Sequence, residues 1–203
     1  METGTHPQTP DQALEALLDG NNRQLAADRR LPSHSPLGDR HAEGQRPFAA
    51  IIACADSRVS PALIFDLERG NLFVSRVAGN SIDPGTLGST EYAVAELGVR
   101  LVMVLGHSDC GAVNAAIGVA DGSADYPAEQ FGAIGAVVDA VVPSVLSVPA
   151  DQRTVANCVE ANARAQAEKL AETDPIIRPA VEASTLRVVA AVCDVESGRV
   201  ELL

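Results

Sequence analysis

The chain has 203 residues, enough for one domain that buries roughly 70% of its unfolded surface, and a hydrophobic content of 46% excludes wholesale disorder. With 15 Lys and Arg against 27 Asp and Glu the net charge is −12, which argues against nucleic acid and anionic membranes as partners, since both need a basic face. Aromatic residues make up only 3% and Trp is absent, so there are no stacking platforms for single strands.

The opening METGTHPQTP is polar, with no basic patch leading into an apolar stretch, so no secretory signal is expected. The longest apolar runs, such as Leu101–Leu105, fall far short of the ~20 residues a membrane span needs. Cys54, Cys110, Cys158 and Cys193 are too sparse for a disulfide scaffold, and a reduced, cytoplasmic setting is predicted.

Taken in order, Thr9-Pro10-Asp11-Gln12 resembles a capping box, and Leu14, Leu17, Leu18 and Leu25 follow at near-helical spacing. A helix with one apolar stripe is predicted over 10–27, then a long polar loop over 28–47. Phe48–Ala53 is a continuous apolar run, the mark of a strand buried on both faces. A short helix over Pro61–Leu67 leads to a strand over Asn71–Val77. A helix over Thr86–Leu97 closes at Gly98, and a third strand runs over Arg100–Leu105. Helices are expected from Cys110–Val119, 127–142 and 154–172, with a late strand over Leu186–Val192 and an edge strand over Arg199–Leu203. This alternation predicts an α/β fold: a mostly parallel four-stranded sheet with an antiparallel edge strand, flanked by helices. Residues 1–44 read as a helical arm and loop, and 45–203 as the α/β domain.

Two strand ends carry chemistry. The first runs into Cys54-Ala55-Asp56-Ser57-Arg58, the third into His107-Ser108-Asp109-Cys110. Ligand sites of parallel sheets lie beyond the carboxyl ends of strands, so neighbouring strands would bring Cys54, His107 and Cys110 to one edge. Two thiolates and an imidazole suit Zn²⁺, and three protein ligands leave a fourth tetrahedral position for water. Taken singly, Cys54 also reads as a small core residue and His107 as a satisfied polar cap; the conjunction favours a metal. Asp56 would ligate the open position or accept a hydrogen bond there, with Arg58 holding it through a fork-to-carboxylate pair; the bland alternative is a surface ion pair. Cys158 and Cys193 read as core residues, and His6, His34 and His41 as solvated.

Cys54/Asp56/Arg58 and His107/Cys110 match the Cys-x-Asp-x-Arg and His-x-x-Cys signatures of the β-class carbonic anhydrases, which the sequence resembles from Gln45 to Glu201. FVSRVAGN (73–80), EYAV (91–94) and the terminal DVESGRVEL belong to the same likeness. The resemblance implies one zinc held by Cys54, His107 and Cys110, with Asp56 and Arg58 as catalytic dyad. It implies that Gln45 bonds substrate across a dimer interface, that the Gly111 amide faces bicarbonate, and that Tyr92 lines the site. It further implies a homodimer embraced by the N-terminal helix, with a tetramer as the larger alternative. The expected activity is reversible hydration of carbon dioxide to bicarbonate and a proton; hydrolysis of carbonyl sulfide or carbon disulfide at the same site is the alternative. Ala112 stands where many members have a second glycine, and Ile51 replaces the tryptophan of members regulated by a noncatalytic bicarbonate site.

Overall fold

The computed structural model describes residues 6–28 and 44–203. Most of the loop expected over 28–47, with His34 and His41, lies outside the described residues.

Five strands form one sheet: β1 (Ala49–Ala53), β2 (Leu72–Arg76), β3 (Leu101–His107), β4 (Arg187–Cys193) and β5 (Val200–Leu202). Their order is β2-β1-β3-β4-β5, parallel throughout except for the antiparallel β4–β5 pair at the edge. The sheet is therefore four parallel strands plus an antiparallel edge, as the alternation predicts. Every residue of β1 and β3 is buried, because helices cover both faces.

Side chains alternate across a strand, and the two faces use this alternation cleanly. Ala49, Ile51 and Ala53 of β1, with Leu101, Met103 and Leu105 of β3, pack with Ala13, Leu14 and Leu17 of α1 (Pro10–Leu25) and with Ile64 of α2 (Pro61–Ile64). Ala50 and Ile52, with Val102 and Val104, face Ala93 of α3 (Pro84–Ala95). The first turn of α1 is capped as the sequence predicts, with Thr9 Oγ1 accepting from the Gln12 amide (3.2 Å). Its Asn21 side chain then ties the helix to its own chain, donating to the Ile64 and Gly198 carbonyls and accepting from the Val200 amide. Gly20 is needed for this approach, since a Cβ there would sit 1.8 Å from the Phe65 carbonyl oxygen.

Several boundaries differ from expectation. Helix α2 ends at Ile64 rather than Leu67 because Asp66 takes a positive φ of 46°. Helix α3 begins two residues early because the Asp83 carboxylate accepts from the Thr86 amide (2.7 Å), with Pro84 at the first helical position. After α4 (Gly111–Ala120), the helix expected over 127–142 is broken into α5 (Ala128–Phe131) and α6 (Ile134–Asp139) at Gly132, whose φ is 58°. Helix α7 (Val142–Leu146) follows, then the long α8 (Val155–Ala171) and a short α9 (Ile177–Glu182) that the sequence reading lacks. Helix α8 packs Ala163, Ala167 and Leu170 against the same face as α3.

Candidate metal centre

Because β1 and β3 are adjacent and in register, their carboxyl ends bring the predicted residues together. The donor atoms of Cys54, His107 and Cys110 lie within 4.8 Å of one another, and all three residues are buried. Cys54 follows the last residue of β1, His107 ends β3, and Cys110 caps α4 after a turn through Asp109 at φ 56°. All four cysteines are free thiols.

The hydrogen bonds around these donors suit a cation. The His107 Nδ1 lies 2.9 Å from the Ser108 carbonyl, which fixes that nitrogen as the N–H and leaves the Nε2 lone pair available. That Nε2 is buried with no hydrogen-bond partner among the described residues. The Gly79 amide donates to Cys54 Sγ (3.4 Å), while the Ala112 and Val113 amides at the start of α4 favour the thiolate of Cys110. Between the two sulfurs, the Cys110 contact is the main influence holding Cys54 well below the usual thiol range, and Cys110 is pushed up in return. Burial opposes a charge on His107, yet the Cys54 sulfur and the Asp56 carboxylate carry its pKa upward. Side chains that draw a proton in this way also draw a metal ion. A tetrahedral zinc with Zn–S near ~2.3 Å and Zn–N near ~2.1 Å needs donors about 3.6–3.8 Å apart, which this cluster accommodates.

Asp56 and Arg58 form the anticipated fork. Arg58 Nε and Nη2 donate to the two Asp56 oxygens at 3.0 and 2.8 Å, and the Arg58 amide closes a turn onto Asp56 Oδ1 (2.9 Å). Arg58 also reaches the Asp109 carbonyl (3.2 Å), coupling the two strand-end turns. These bonds, led by the Arg58 side chain, hold the Asp56 carboxyl well below the ordinary carboxylate range. Its Oδ2 stands 3.9 Å from His107 Nε2, beside the cluster.

The remaining predicted residues are placed differently. Gly111 opens α4, exposed, with no atom within 4 Å of where a Cβ would be. Tyr92 is half-exposed on α3, and its aromatic neighbour is Phe73 (centroids 6.3 Å), not a member of the cluster. Gln45 is exposed in the segment that enters β1, at the opposite end of that strand from Cys54. Within one chain it is not brought to the cluster. The sequence reading missed Arg76, whose guanidinium donates to the Cys54 and Asp56 carbonyls, and Gly79, whose amide meets the Cys54 sulfur. A glycine just past a strand and before an Asn was the available signal.

Comparison with known proteins agrees with this geometry. Residues 49–200 match the family model described as carbonic anhydrase. Carbonic anhydrase 2 of Mycobacterium tuberculosis is 47% identical over 140 residues, 68% of this chain and 65% of its own length. The carbonic anhydrase of Pseudomonas aeruginosa is 38% identical over 178 residues, covering 85% of this chain and 80% of that protein. The chain thus spans just under two thirds of the first of these relatives. Among solved structures, the β-carbonic anhydrase CcaA superposes with a TM-score of 0.69 at 27% identity, over 93% of this chain and 94% of that one. A tetrameric β-carbonic anhydrase of Sordaria macrospora gives 0.69 at 25% identity, over 94% and 96%. The family-model match runs through both strand ends that carry the cluster, and the chain belongs to the carbonic anhydrase family, in its β class.

Proposed function

We propose that this chain catalyses the reversible hydration of carbon dioxide to bicarbonate and a proton, with one zinc ion held by Cys54, His107 and Cys110. The observation that carries the reading is the convergence of these three buried donors beside the Asp56–Arg58 fork, in a chain of this family. When bound, zinc supplies a Lewis acid that brings the pKa of water from about 15.7 towards about 7. Two thiolates offset more of its charge than neutral imidazoles would, so activity should rise through mildly alkaline pH.

The chain's own groups do the rest. Arg58 keeps Asp56 ionised and occupies the outer lobes of both its oxygens, so Asp56 is aimed rather than free to rotate. Asp56 accepts the O–H of the attacking water and turns its lone pair towards carbon dioxide. The Gly111 amide, at a helix start where N–H groups lack intrahelical partners, offers a donor to the negative charge that develops on bicarbonate. Gln45, exposed at the far end of β1, serves the site of a second copy, and Tyr92 lines the region of the site. A homodimer is accordingly the working assembly, with a tetramer built from it, and the protein acts in the cytoplasm. No helix among the described residues is long and apolar enough to cross a membrane. The relatives named above are carbonic anhydrases, and no observation favours carbonyl sulfide or carbon disulfide over carbon dioxide.

Stopped-flow carbon dioxide hydration, before and after removal of metal by a chelator, tests the reading. Activity should vanish with the metal and return with added zinc. Activity that survives complete stripping, or a profile that falls from pH 6.5 to 8.5, would overturn it.

A further inference from the structure

We propose that Asn162 is a positioning residue for the metal centre: it anchors the Gly79 carbonyl and so holds the Gly79 amide on the Cys54 sulfur. The inference rests on the metal reading above and concerns a part of the chain that supplies no ligand.

Three side chains on one stripe of α8 grip the backbone that leaves β2. Asn162 Nδ2 donates to the Gly79 carbonyl (2.9 Å), Gln166 Oε1 accepts from the Ile82 amide (2.8 Å), and Lys169 Nζ donates to the Ile82 carbonyl (2.9 Å). Their spacing of four and three residues puts them above one another on one helix face. Of the three, only Asn162 bonds the residue that touches a metal-binding atom.

The backbone it holds is an unusual one. Gly79 and Asn80 take consecutive positive φ values of 74° and 45°. At Gly79 a Cβ would come within 2.9 Å of Val141 Cγ2 and 3.2 Å of the Ala112 Cβ, so the position has neither the conformational nor the steric room for a side chain. Such a turn relaxes unless something outside it fixes its peptide groups. The Cys54 sulfur accepts on one side of the Gly79 Cα, and Asn162 binds on the other. With the Asn162 bond gone, the Gly79–Asn80 peptide keeps only the bond inside the turn, from the Asn80 amide to the Val77 carbonyl (3.0 Å), and the Gly79 amide is held less firmly on the sulfur.

Asn162 is also costly where it stands. It is 1% exposed, and its Oδ1 finds no hydrogen-bond partner. An apolar residue of the same size would remove the unpaired Oδ1 but would leave the buried Gly79 carbonyl without its Asn162 donor. Among the described residues, the bond to Gly79 is the one return for burying that amide. Donors that orient ligands and moderate thiolate charge change how tightly a metal is held.

The test loads the full-length protein with cobalt and compares wild type, Asn162→Leu and Gln166→Leu. Two readouts are followed: the sulfur-to-cobalt charge-transfer band, and the rate at which a chelator removes the ion. N162L should shift the band and release cobalt about tenfold faster, the lower end of outer-sphere effects. Q166L removes a buried amide four residues along the same helix and should leave both at wild-type values. An unchanged band and rate in N162L, or equal changes in Q166L, overturns the proposal. Should N162L fail to fold, Asn162→Ser is judged by the same criteria. Independently, wild-type protein loaded with spin-active cadmium should show scalar coupling from the metal to the Gly79 amide proton through the Cys54 sulfur; its absence overturns the proposal as well. Failure to take up cobalt on sulfur at all would instead overturn the metal reading, and this proposal with it.

Discussion

Cys54 and Cys193 invite comparison, because the same sheet makes opposite use of them. Each stands at the carboxyl end of a parallel strand flanking β3, each is buried, and neither is oxidised. Cys193 even lies directly opposite His107 in the β3–β4 register. Yet Cys54 has an imidazole, a second sulfur and a backbone amide around its Sγ. Among the described residues Cys193 has only the Asp194 carbonyl at 3.6 Å, and burial, with the Asp194 charge, pushes its thiol up to about 11. Strand-end position and burial are shared, so they do not make a ligand. What differs is which neighbours stabilise a negative sulfur, and those come from turns: Gly79 after β2 and the Asp109 turn into α4.

Exchanging the two cysteines for serine, one at a time, breaks the comparison most sharply. Cys54→Ser should remove the bound metal and with it the hydration activity, a loss exceeding the ~10–100-fold typical of outer-sphere partners. Cys193→Ser should keep metal content at the wild-type level by elemental analysis; loss of metal there would show that the site extends to β4. Arg58→Ala comes next in size. It frees the Asp56 carboxylate and should lower kcat by about 10–100-fold while the metal stays bound; full turnover would take the fork out of the mechanism. Cys193→Ala should cost stability alone, about 1 kcal/mol by denaturant midpoint, as a small change in a packed interior.

The mildest contrast is in pH. Hydrogen bonds from Ser197, chiefly its hydroxyl, lower the Asp194 carboxyl pKa. A carboxyl depressed in the folded state stabilises it above the unfolded value near ~3.9, and that contribution fades as pH falls through the folded pKa. Asp194→Asn should therefore flatten the acid limb of the stability curve relative to wild type. Identical acid limbs would show that the Ser197 contacts do not act through ionisation.

The buried strands and the residues that converge at their ends were both legible because each rests on a local pattern. FAAIIA and RLVMVL are uninterrupted apolar runs, and Cys54, His107 and Cys110 sit immediately beyond them. Adjacency of β1 and β3 was only a condition of the sequence argument, and the sheet order supplies it. The break at Gly132 was not legible, since a glycine inside an apolar helical pattern reads equally as a tolerated residue or a stop until its φ is known. The polar stripe of Asn162 and Gln166 was hidden for a different reason. Amides in a helix read as solvent-facing, and only tertiary contact with the Gly79–Ile82 backbone reveals them as buried. Gln45 illustrates the same limit at larger scale: within one chain it stands at the far end of β1 from Cys54, and the role proposed for it needs a second copy.

The cluster draws one ligand from residue 54 and two from beyond residue 106, across strands that meet only when the sheet has formed. An unfolded chain accordingly presents no ready-made chelate, unlike a finger whose ligands are close neighbours in sequence. The fully buried β1 and β3 give the sheet a cohesion that does not draw on the cluster, so the fold should form before any ion is loaded. If the proposed zinc site is correct, nascent protein should reach its final shape in zinc-poor cells and wait there inert until supply recovers.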